Sequence, residues 1–130
     1  MARPPRVLIV DDRPKVLGLC ARALEDAGYE AHTAPTAQVA MDVVEAAPPD
    51  AILIDLQVPF VNGIGVLYRL RKAHAHIPVA VITGLSNLDD AAVKEIRALG
   101  ADVRVKPMSV DDIQTIAREL LAKRDAANLS

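Results

Sequence analysis

Two hydrophobic rhythms alternate along this chain. Short apolar runs, Val7–Val10, Ala51–Ile54, Val79–Ile82 and the shorter Val103–Val105 around Arg104, are separated by stretches in which apolar residues recur at helical spacing. Unbroken runs of this length, rich in Val and Ile, predict strands buried on both faces of a parallel sheet. After the first run, Val16, Leu17, Cys20, Ala23, Leu24 and Ala27 form a helical stripe between Pro14, tolerated in a first turn, and Gly28, a helix stop. Tyr29 to Ala34 predicts a short second strand, and Thr36 opens a helix with Ala40, Met41 and Val44 inward, ended by Pro48-Pro49. A loop from Gln57 to Asn62 leads to a helix around Gly63–Ala73 bearing Val66, Leu67 and Leu70, and Pro78 introduces the fourth strand. A helix starting near Asp89 carries Ala92, Val93, Ile96 and Leu99 and stops at Gly100. Ser109 with Asp112 three residues on has the form of a capping box for a last helix, with Ile113, Ile116, Ala117, Leu120 and Leu121 on one face. The tail from about Asp125 is expected to fray.

Five β–α units with short connections imply a parallel sheet covered by helices on both sides, because crossover connections are right-handed. With 130 residues and no internal repeat, residues 1–130 read as one domain, its core spanning about 6–123. The 52% apolar content suits such a sandwich, and only Tyr29, Phe60 and Tyr68 are aromatic, so the core must be aliphatic. A net charge of −2 with scattered Lys and Arg gives no electrostatic footprint for nucleic acid. Arg69, Arg71 and Lys72 read as a solvated helix end that offsets the dipole. Cys20 is alone, which excludes an intramolecular disulfide and fits a reducing compartment; on the apolar stripe it reads as a buried, inert thiol. No apolar stretch has the length of a membrane span, and the start Met1-Ala2-Arg3-Pro4-Pro5 lacks the apolar segment of a signal peptide. The expectation is a soluble, cytoplasmic protein with no membrane partner.

Each strand run ends on a chemically useful residue: Asp11-Asp12, Asp55, Thr83 and Lys106-Pro107. Open parallel α/β sheets bind ligands at the carboxyl ends of their strands, so these residues are candidates for one site. Carboxylates gathered there repel by roughly 3 kcal/mol per pair at about 5 Å, taking an effective dielectric near 20. Such a cluster needs protons or a cation, and a hard divalent ion, Mg²⁺ or Mn²⁺, suits oxygen-only ligands. With the Lys106 ammonium and the Thr83 hydroxyl, the set would hold phosphoryl oxygens while a carboxylate attacks or leaves. Each residue also has a plainer reading. Asp12 before Arg13-Pro14 could cap a helix, Thr83 could be a turn residue, and Lys106-Pro107 a turn. Their joint occurrence at four strand ends carries the chemical inference.

With these residues assembled, the chain resembles a response-regulator receiver domain of bacterial two-component signalling, over roughly Arg6 to Lys123. The resemblance rests on Val7–Asp12, on Asp55-Leu56-Gln57-Val58-Pro59 with Gly63 following, on Ile82-Thr83-Gly84 and on Lys106-Pro107. It implies a flavodoxin-like (βα)5 doubly wound sheet in the order 2-1-3-4-5, which periodicity alone does not give. It also implies that Asp55 is both the phosphoacceptor and a Mg²⁺ ligand, that Asp12 binds Mg²⁺ directly and Asp11 largely through water, and that the Gln57 main-chain carbonyl completes the protein ligands. Thr83 and Lys106 would grip the phosphoryl group, and Lys106–Pro107 would be a cis peptide. The implied partners are a histidine kinase or phosphotransfer protein and a downstream output protein or domain. A homodimer through the face of helix 4, strand 5 and helix 5 also follows, with no nucleic acid bound by this domain. Catalysis would be limited to promoting its own phosphorylation and dephosphorylation.

The pattern departs from the family late in the fifth strand, where receivers generally carry Tyr or Phe as a rotamer switch. Counting back from Lys106 places Val103 there, and counting forward from Gly100 places Arg104 there. Arg104 is expected to face outward, because burying an unpaired guanidinium costs several kcal/mol. Gln57 and Leu85, each two residues after a site residue, are expected to flank the path of water to the acyl phosphate and tune its lifetime. Two other functions compete. A degenerate receiver would signal by contact alone, and an aspartate-nucleophile phosphatase would carry Asp-x-Asp after the first strand and a cap domain. A nucleotide binder would need a Gly-rich loop after that strand, and none is present.

Overall fold

Strands and helices alternate in the computed structural model, which describes residues 3–55, 63–74, 76–84, 90–105 and 109–129. The strands are β1 (Arg6–Val10), β2 (Glu30–Ala34), β3 (Ala51–Asp55), β4 (Val79–Thr83) and β5 (Asp102–Val105). The helices are α1 (Pro14–Asp26), α2 (Ala37–Ala46), α3 (Gly63–Ala73), α4 (Asp90–Ala98) and α5 (Val110–Leu129). All strand pairs are parallel and the sheet order is β2-β1-β3-β4-β5, the flavodoxin-like arrangement.

The apolar runs fill two cores because successive strand side chains point to opposite faces. Leu8, Val10, Ile52, Ile54, Val79 and Val81 pack with Met41, Val44, Leu67, Leu70 and Ile96 of α2, α3 and α4. Val7, Ile9, Leu53, Ala80 and Ile82 pack on the other side with Leu17 and Leu24 of α1 and Ile113, Ile116 and Leu120 of α5. Every residue of β3 and β4 is buried, which is why those runs show no polar alternation.

Local signals set the helix ends. Gly28 and Gly100 follow α1 and α4 with φ of 92° and 78°, left-handed positions that favour glycine. The Thr36 hydroxyl accepts a hydrogen bond from the Val39 amide at 3.1 Å and caps α2. Ser109 and Asp112 make the reciprocal bonds of a capping box, 2.9 and 3.1 Å, at the start of α5.

Three details differ from the sequence reading. Helix α5 continues to Leu129, through the stretch expected to fray, and Arg124 ties it to Asp50 before β3 at 3.0 Å. Arg71 is not a solvated helix end: its guanidinium is half-buried and donates to the carbonyls of Leu99, Ile77 and Gly100 at 2.5, 2.6 and 3.3 Å. Cys20 is half-buried instead of buried, because it sits on the flank of α1 beside exposed Leu19.

Candidate acidic site at the carboxyl rim of the sheet

Strand register decides which acids meet. Val10 of β1 is in register with Ile54 of β3, so the next residues, Asp11 and Asp55, leave neighbouring strands at the same rim. Asp55 is in register with Ile82 of β4, which puts Thr83 at the adjacent strand end. Asp11, Asp55 and Thr83 are the buried polar side chains among the described residues, at 1%, 6% and 0% exposure. Asp12 lies at the same rim, half-buried. The Thr83 hydroxyl has a long contact of 3.4 Å to the Gly84 carbonyl, which leaves it in position to donate to a better acceptor.

Buried carboxylates must be paired, and among the described residues a counter-charge to both Asp11 and Asp55 comes from Arg13, a residue the sequence reading treated only as the lead-in to Pro14. Its main-chain N–H donates to Asp11 Oδ1 at 2.9 Å. Its Nε donates to the same oxygen at 3.1 Å and its Nη2 to Asp11 Oδ2 at 2.9 Å. The same Nη2 donates to Asp55 Oδ2. One guanidinium thus joins the two acids, gripping Asp11 in the bidentate fork that favours arginine over lysine. Burial pushes the Asp11 carboxyl up, but the Arg13 hydrogen bonds outweigh it and hold the group below the usual 3.8. Arg13 in turn is raised above its ordinary value, first by its bond to Asp11. The sequence carried a signal for this role, a cation immediately after an acid pair that needs one.

The plain reading of Asp12 as a cap does not hold. The N-cap residue of α1 is Arg13, with no side-chain cap, and Pro14 occupies the first turn. Val103 and Arg104 fall on opposite faces of β5. Val103, in register with Val81, packs against the core beneath α4. Arg104, in register with Ile82, pairs with Glu119 of α5 and lies 3.7 Å from Asp102. Its guanidinium is partly exposed but paired, so ion pairing and not full solvation settles its placement. Gln57, Leu85, Lys106 and Pro107 lie outside the described residues.

The donor set fits a hard cation. Two buried carboxylates face each other's strand ends with a third acid alongside, all oxygen donors. Among the described residues no group of three or more His, Cys, Asp or Glu side chains is arranged around one point. Main-chain oxygens and water would have to complete the shell, as is usual for Mg²⁺. Beside the acids a cleft of about 290 Å³ runs between α1 and α5, polar at Asp11, Arg13 and Asp55 and apolar toward Leu19 and Val110. No helix among the described residues is long and apolar enough to cross a membrane.

A family model for the response regulator receiver domain matches residues 7–118. Transcriptional regulatory protein PrrA of Mycobacterium leprae (strain TN) is 34% identical over 126 residues, covering 97% of this chain and 54% of PrrA. Sporulation initiation phosphotransferase F of Bacillus subtilis (strain 168) is 30% identical over 117 residues, covering 89% of this chain and 93% of that protein. The crystal structure of a response regulator receiver domain protein (CheY-like) from Methanospirillum hungatei JF-1 superposes with a TM-score of 0.87 at 26% identity, covering 95% and 98% of the two chains. The chain spans about half the length of the PrrA proteins it matches.

Proposed function

This chain belongs to the response-regulator receiver domains of two-component signalling, and on that premise we propose that it is a phosphorylation switch whose acceptor is Asp55. A histidine kinase or phosphotransfer protein supplies the phosphoryl group, and the phosphorylated form has a changed affinity for an output protein or domain. The observation that carries this reading is the pairing of two buried carboxylates, Asp11 and Asp55, beside a buried hydroxyl, Thr83, at three neighbouring strand ends.

In the transfer, an Asp55 carboxylate oxygen attacks phosphorus, the bond from phosphorus to the donor nitrogen breaks, and an acyl phosphate forms. Asp11, Asp12, Asp55 and the Gln57 main-chain carbonyl would hold Mg²⁺, or Mn²⁺ in its place; when bound it neutralises charge on the transferring phosphoryl oxygens. Thr83 donates its hydroxyl to one phosphoryl oxygen, and Lys106 sets its ammonium against another, ahead of a cis bond to Pro107. Leu85 and Gln57 border the route of water, so an apolar Leu85 lengthens the life of the phosphoryl state. The output face is that of α4, β5 and α5, through which a homodimer could also form. The setting is cytoplasmic.

Intact-mass measurement after incubation with Mg²⁺ and acetyl phosphate tests the assignment. Wild type should gain one phosphoryl mass and Asp55→Asn should gain none. The absence of an aromatic at both Val103 and Arg104 favours a second reading, a module signalling by contact alone. An unmodified wild type under these conditions would select that reading.

A further inference from the structure

We propose that Arg13 is a built-in counter-cation of the acidic rim, which a divalent metal must displace before Asp55 can be phosphorylated. This rests on the receiver reading above and adds a gate to it. The Arg13 guanidinium engages Asp11 Oδ2 at 2.9 Å and Asp55 Oδ2 with one nitrogen, so it uses oxygens that a metal between β1 and β3 would need. The guanidinium already takes one lone-pair direction on each of these oxygens, and its charge repels an arriving dication.

The local geometry suits an exchange. Pro14 fixes the backbone direction just after Arg13, while the Arg13 side chain is 44% exposed and has a path to solvent. The main-chain N–H of Arg13 holds Asp11 Oδ1 at 2.9 Å independently of the side chain. When the guanidinium leaves, Asp11 therefore stays oriented toward the incoming ion. Metal binding then competes with a closed form, and its apparent affinity falls by the open fraction. A form open roughly one-tenth of the time weakens apparent binding about tenfold. The gate would keep the acids compact and neutralised at low metal, and would make phosphorylation more dependent on metal concentration than the acids alone require.

Calorimetric titration of the full chain with Mg²⁺ tests this. Arg13→Gln should bind roughly tenfold more tightly, a difference of about 1.4 kcal/mol. Lys15→Gln, which neutralises an exposed charge two residues on, should shift affinity by less than about twofold, since an exposed charge is screened. In ¹H–¹⁵N spectra of wild type, the Arg13 Nε–H signal should move toward its solvent-exposed position with the same midpoint as the calorimetry. Equal or weaker binding by Arg13→Gln, an equal gain in Lys15→Gln, or an Nε–H signal that ignores Mg²⁺ would each overturn the gate while leaving the switch intact. Absence of Mg²⁺ binding in both wild type and Arg13→Gln would remove the receiver reading and the gate with it.

Discussion

At the residue scale, Asp11 is ionised because Arg13 outweighs the penalty of burial. That has a defined sign for stability against pH. The folded carboxyl lies below its unfolded value, so the folded state binds fewer protons there. Its stabilising contribution is complete above the unfolded value and is lost as pH falls through the folded one. Denaturant unfolding at descending pH should therefore show a steeper loss for wild type than for Asp11→Asn below about pH 4, with parallel behaviour above about pH 5. Equal slopes in the acid limb would show that this carboxylate is not held by its arginine. Asp11, Asp55 and Thr83 could be read from the chain because the length of each apolar run fixes where its strand stops. Arg13 was legible only as a cation beside an acid pair, since its bond to Asp55 joins residues 42 apart, a pairing that only strand order creates. A cation next to a proline looks local until β1 and β3 are known to be neighbours.

At the element scale, helix ends and cross-links give separable stability predictions. Thr36→Ala removes the one side-chain bond that caps α2 and should cost about 1 kcal/mol, lowering Tm by roughly 3–6 °C without altering phosphorylation of Asp55. Arg71→Met keeps the aliphatic stem but strips charged hydrogen bonds from the Leu99, Ile77 and Gly100 carbonyls. It should cost roughly 1.5–3 kcal/mol, more than an exposed helix arginine would. Calorimetric melting of both variants checks the order, and an Arg71→Met chain as stable as wild type would restore the solvated reading. The five strand and helix pairs were legible because apolar spacing changes from runs to stripes at each boundary. The role of Arg71 was half-legible: it lies four residues after buried Leu67, hence on the same helical face, but its basic neighbours mask that position. The continuation of α5 past Asp125 had no apolar signature, since the Arg124–Asp50 ion pair that docks it is polar and long-range.

At the scale of the whole molecule, the acidic rim and the proposed output face meet along the β4–β5 ladder. Thr83 is in register with Val105 and Ile82 with Arg104, so the strand end that carries Thr83 is tied to β5 through the parallel ladder. Periodicity could not foretell this, because it finds strands and leaves their order open. In this sheet neither face of β5 offers an aromatic rotamer: Val103 is packed against the core and Arg104 is bound to Glu119. Among the described residues, the charged links from β5 to α5 are that ion pair and Lys123 with Asp102 at 2.6 Å. Arg104→Ala should change stability by less than about 1 kcal/mol, as for other partly exposed pairs, and should leave the phosphoryl mass gain on Asp55 intact. It should nevertheless reduce the phosphorylation-dependent change in amide hydrogen exchange over residues 110–121, because α5 would lose one of its two charged ties to the strand beside Thr83 and keep only Lys123–Asp102. An exchange pattern in the variant that follows phosphorylation as wild type does would exclude the arginine and leave backbone movement after Thr83 as the route to the output face.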